Sequence, residues 1–153
     1  MGASAVGTGN SRLEVTLVPI PQSVSIARIF VRHQLICLRR TDLILDATTI
    51  ASELVTNAIN ATASDDPRTR GRIRMYLGPH DGRPLLEVWD SCPWMPAFRE
   101  PDFVAESGRG LHIVRSLAAG LGWRKEEGGG KTVWALLGPE GSRGSGPHGR
   151  TTP

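Results

Sequence analysis

Two tight-turn signals, each set between apolar runs, do most to limit what this chain can fold into. Ile73, Met75 and Leu77 alternate with Arg72, Arg74 and Tyr76. A turn-rich connection, Gly78–Pro84, containing Asp81-Gly82 follows, and Leu86, Val88 and Asp90 return. Asp-Gly is a hairpin turn signal, so these runs read as an antiparallel hairpin. Gly128-Gly129-Gly130 joins Trp123–Glu127 to Thr132–Leu137 in the same way. Antiparallel hairpins exclude a doubly wound parallel sheet, whose strands need long crossovers.

The remaining segments supply a short strand and three helices. Leu13, Val15 and Leu17 alternate with Glu14, Thr16 and Val18 before Pro19. Ile26, Ile29, Phe30, His33, Leu35 and Cys37 recur at roughly helical spacing, with Ser23 as N-cap and an end near Arg39-Arg40. Thr41 or Asp42 caps a second, longer helix with Leu45, Ile50, Leu54, Ala58 and Ala61 on its buried face, and Ser64-Asp65-Asp66-Pro67 stops it. A third follows Gly108-Arg109-Gly110 through Leu111, Val114, Leu117 and Ala118. The expected fold is α+β: a two-layer sandwich with helices on one face of a mixed, largely antiparallel sheet.

At 153 residues the chain is expected to form one domain, over residues 11–137. Residues 1–10 read as a flexible lead. Residues 138–153 are Gly, Pro, Ser and Arg with almost nothing apolar, and are expected to be disordered. Eighteen basic against 15 acidic side chains leave a net charge of +3, and Lys125 and Lys131 are the only lysines. No helix-turn-helix or aromatic-basic interleaving accompanies that balance, so direct nucleic-acid binding is not expected. No run of about 18 apolar residues exists, so no membrane span is expected. Cys37 and Cys92 form neither a close metal pair nor a disulfide framework, and suit a reducing cytoplasm.

Three places could carry chemistry. Glu53 and Asn57 lie four apart on the second helix and share a face. A carboxylate there can serve as general base beside a carboxamide that holds a metal or phosphate. Asp90 ends a strand, where it can accept a hydrogen bond from an exocyclic amine. Gly108-Arg109-Gly110-Leu111 opens a helix, whose N-terminal N–H groups suit a phosphate. Each has an ordinary alternative: a solvated helix face, a turn-starting Asp, a glycine-rich loop. Gly130-Lys131-Thr132 is no P-loop, since it lacks the upstream glycine and enters a strand.

Order and spacing together go further. Ser52-Glu53-Leu54-Val55-Thr56-Asn57-Ala58, then Asp90, then Gly108-Arg109-Gly110-Leu111-x-Ile113-Val114, then Lys131-Thr132-Val133-Trp134 resembles the GHKL ATPase superfamily, and within it the single-domain anti-sigma-factor serine/threonine kinases. The resemblance spans about Leu13 to Leu137. It implies ATP and Mg²⁺ as cofactors, with Asn57 ligating the metal and Glu53 as general base. Asp90 would accept the adenine amino group, and Thr132 would lie under the base. Gly108, Arg109, Gly110 and Leu111 would wrap the phosphates, and Pro93–Ser107 would form a lid. Partners implied are a sigma factor and an anti-sigma antagonist; a homodimer is left open, since the first strand could pair with a second subunit. Cys92 stands where relatives usually have Gly, and Ala61 where many have His. Those departures favour the second reading, a non-catalytic nucleotide-binding module controlling a partner protein.

Overall fold

The computed structural model describes residues 13–62, 71–94 and 109–139. The lead at residues 1–10, the helix stop at 64–67 and most of the tail lie outside the described residues. The Asp81-Gly82 turn forms, with φ of +47° and +79°, but the rest of the expected Gly78–Pro84 connection is strand. It closes β2 (Ile73–His80) on β3 (Arg83–Asp90) through a two-residue loop, pairing His80 with Arg83 and Ile73 with Asp90. β1 (Glu14–Leu17) lies on the far side of β2. β4 (Gly120–Lys125) and β5 (Lys131–Leu136) form the second hairpin, and β5 pairs with β3. The sheet order is β1-β2-β3-β5-β4, and all four pairings are antiparallel. β4 starts three residues before the expected Trp123.

Three helices cover one face: α1 (Ser23–Cys37), α2 (Ile44–Thr62) and α3 (Arg109–Leu117). The inward sheet residues Ile73, Met75, Leu77, Leu86, Val88, Val133 and Ala135 share a core with Val31 and Leu35 of α1 and Ile50, Leu54 and Val55 of α2. On the outer face Leu85, Trp134 and Leu136 make a smaller apolar cluster.

Local details depart from the sequence expectations. Ser23 does not cap α1: Gln22 holds that position without a side-chain bond, and the Ser23 hydroxyl donates to the Val18 carbonyl at 2.6 Å. It pins the strand-to-helix turn instead. Ser23→Ala is therefore expected to cost about 1 kcal/mol, by removing one hydrogen bond to a carbonyl that the Ile20 N–H still serves, while leaving the circular-dichroism helix signal unchanged. A loss of helix content would show the hydroxyl to act as a cap after all.

α1 ends where Arg39 turns left-handed, at φ +56°, and the Arg40 N–H bonds back to the Leu35 carbonyl at 2.8 Å. Thr41 and Asp42 do not cap α2; they lie in a short 3-10 turn, Thr41–Leu43, and Asp42 pairs with Arg40 at 3.1 Å. Leu45 is 79% exposed. Five residues before Ile50 its side chain points about 140° away from that residue on the helix wheel. Ala61 is exposed too; Ala47, Ala51, Val55 and Thr62 complete the buried stripe.

Candidate functional site

The site grows from the helix face that carries Glu53 and Asn57. Both side chains are half-buried, one turn apart, on the part of the molecule where α2 packs against α3 and β3. Gly110 sits in the first turn of α3. A Cβ there would run into the Glu53 carboxylate, so the missing side chain is what lets the acid lie against the helix N-terminus. An acid is favoured at that position, where unpaired N–H groups carry partial positive charge. Arg109 is exposed, whereas Gly110 and Leu111 are buried; Leu111 packs into the main core. Gly108 and residues 95–107 of the expected lid lie outside the described residues, while Pro93 and Trp94 are exposed.

Asp90 closes β3 on the inward face and is 2% exposed. Its Oδ1 accepts from the Cys92 backbone N–H at 2.9 Å and from the Lys131 ammonium at 2.8 Å. Lys131 also donates to the Cys92 carbonyl at 3.3 Å. Burial pushes the Asp90 carboxyl above its ordinary range, and the hydrogen bond and charge of Lys131 pull it back. A buried carboxylate whose oxygen is held this way is an acceptor fixed in direction, suited to a neutral amine donor.

Strand register separates Thr132 from this group. Asp90 pairs with Lys131, and Trp89 with Thr132, so Lys131 faces inward beside Asp90 and Thr132 faces outward. On that outer face the Thr132 hydroxyl donates to Glu126. Arg124 bonds Glu87 at 2.7 Å and Glu126 at 2.9 Å, and the Arg74 guanidinium stacks on Trp89 with its carbon 4.2 Å from the ring centroid. The fold thus sets Glu53 against Gly110, places Asp90 and Leu111 on the helical side of the sheet, and turns Thr132 to the other face.

Lys131 is the polar residue of this group that sequence reasoning passed over. The available signal was a lone lysine entering an otherwise apolar strand, in a chain with only two lysines. Its position relative to Asp90 depends on strand pairing.

Among the described residues no cluster of three or more His, Cys, Asp or Glu side chains could hold a metal on its own. The donor chemistry fits Mg²⁺ brought by a phosphorylated ligand, with Asn57 adding one hard oxygen. It also fits ATP: a buried acid for the base, and a helix N-terminus for the phosphates. Among the described residues no helix is long and apolar enough to cross a membrane.

No curated protein matches the chain. A family model described as the histidine kinase-like ATPase domain matches residues 21–137, which takes in all three helices and every strand but the first. That span and the two-layer fold agree, and the chain belongs to the family of histidine kinase-like ATPase domains.

Proposed function

We propose that this ATP-binding domain is a regulatory serine/threonine protein kinase of the anti-sigma-factor type, acting in the cytoplasm on a sigma factor and on an anti-sigma antagonist that it phosphorylates. The observation that carries the reading is Glu53 lying one turn from Asn57 and against Gly110 at the start of α3. In that arrangement Asn57 would hold Mg²⁺ and the N–H groups at the start of α3 would hold phosphate. Glu53 stands where an attacking hydroxyl can pass it a proton. ATP with Mg²⁺ supplies the phosphoryl group. Asp90 accepts from the adenine amine. Both cysteines are free thiols, in keeping with a reducing compartment.

Calorimetric titration with ATP–Mg²⁺ tests this directly. Wild type is expected to bind, and Asn57→Ala to weaken binding by about 10–100-fold, the scale of a lost metal-site contact. No binding at millimolar ATP would reduce the relationship to one of fold.

A second reading is a nucleotide-binding module without phosphoryl transfer, controlling its partner by shape. Cys92 favours it, because its Cβ stands in a turn tied directly to Asp90. Binding without turnover, in the presence of the partner, would select it.

A further inference from the structure

Lys131 and Asp90 form a buried ion pair that spans three pieces of chain. Lys131 is 3% exposed, at the start of β5. Its ammonium reaches the Asp90 carboxylate on β3 and the Cys92 carbonyl in the turn that follows. The Cys92 N–H closes the ring by donating to the same Asp90 oxygen. Both donors converge on Oδ1. A carboxylate has about four lone-pair sites, two on each oxygen, so saturating Oδ1 turns Oδ2 toward any further donor.

We propose that Lys131 is a positioning residue for nucleotide recognition, holding Asp90 charged and oriented so that Oδ2 presents to the exocyclic amine of the base. This role presupposes Asp90 as the acceptor for the base, as in the function proposed above. Without Lys131 the carboxylate would be buried and unpaired. A buried acid in that state takes up a proton instead, and a protonated carboxyl offers a donor where the base needs an acceptor.

Among the described residues, the charged groups of the neighbouring elements are placed or engaged elsewhere. On β2 the partner of Asp90 is Ile73; Arg72 beside it is exposed, and Arg74 stacks on Trp89 across the sheet. On α2 the nearest acid in the site, Glu53, lies against Gly110. Arg109 at the start of α3 is exposed, and Arg124 on β4 is engaged with Glu87 and Glu126 on the outer face. Cys92 contributes its backbone, not its thiol, to the bond.

The test uses the full chain, with Lys131→Met and the charge-preserving Lys131→Arg. Carboxyl carbon NMR follows the titration of Asp90 in the free protein. Calorimetry measures ATP–Mg²⁺ affinity from about pH 8 down to about pH 5.5, toward the acid side where a carboxyl takes up its proton. Comparing variant with wild type at each pH cancels the ionisation of ATP itself. Lys131→Met is expected to move the Asp90 midpoint up by about one pH unit or more, and its affinity deficit should deepen about tenfold toward acid. Lys131→Arg should restore both. If the methionine variant fails to fold, Lys131→Gln keeps the hydrogen bond without the charge and gives the same readouts. An unmoved Asp90 midpoint, or a deficit independent of pH, overturns the role and leaves Lys131 a structural residue. Absence of ATP binding in wild type is a separate result: it removes the nucleotide reading first, and this role with it.

Discussion

Glu53→Gln is expected to leave ATP affinity intact and to slow phosphoryl transfer by about 10²–10⁴-fold, the contribution of a positioned general base. Glutamine keeps the length of the side chain and can still lie against Gly110, so the packing of α2 on α3 survives. It cannot accept the proton of an incoming hydroxyl or water. The measurement is ADP formation under saturating ATP–Mg²⁺, beside a binding isotherm for the same variant. Equal loss of binding and turnover would make Glu53 a packing residue at the α3 terminus. Undiminished turnover would remove the base from the reading altogether. A wild type that binds but never turns over, with the partner present, would hand the function to the non-catalytic reading.

Gly130→Val is expected to destabilise the fold by on the order of 3 kcal/mol, combining a left-handed backbone that valine resists with overpacking. Gly130 has φ +79°, and a Cβ there would run into the Asp90 backbone carbonyl and come within 2.9 Å of the Trp89 indole nitrogen. Neither neighbour gives easily: one is strand backbone, and the indole is tied to the Gly129 carbonyl at 3.1 Å. In thermal unfolding this corresponds to a Tm lowered by roughly 10 °C. Gly128→Ala is the control, since nothing lies within 4 Å of its Cβ position and its φ is not in the left-handed region. It should change stability by less than about 0.5 kcal/mol. A Gly130→Val protein as stable as that control would mean the β4–β5 turn can reshape at little cost.

The two variants probe different layers of the same site. Glu53 acts on what α2 and α3 hold between them. Gly130 sets how closely the β5 end approaches β3, and so whether Lys131 meets Asp90 at all.

The sequence by itself determined the architecture and the family. Asp81-Gly82 and the three-glycine run specify antiparallel hairpins, because few residues but these tolerate the positive φ that a tight turn needs. The four-residue step from Glu53 to Asn57 fixes a shared helix face through helix geometry alone. The order of those residues, Asp90 and the glycine pair before α3 was enough to indicate the histidine kinase-like ATPase family. Only the tertiary structure decided which residues of β5 face Asp90. A strand's side chains alternate, so a slip of one residue exchanges Lys131 for Thr132, and nothing local to Gly130-Lys131-Thr132 sets that register. The same holds for Ser23 and Leu45. One hydroxyl suits a cap by type but finds the Val18 carbonyl across the turn, and one leucine fits an apolar helix but stands off the face that α2 buries. Propensity reads the chain a few residues at a time, whereas pairing and packing between distant segments settle what each side chain meets.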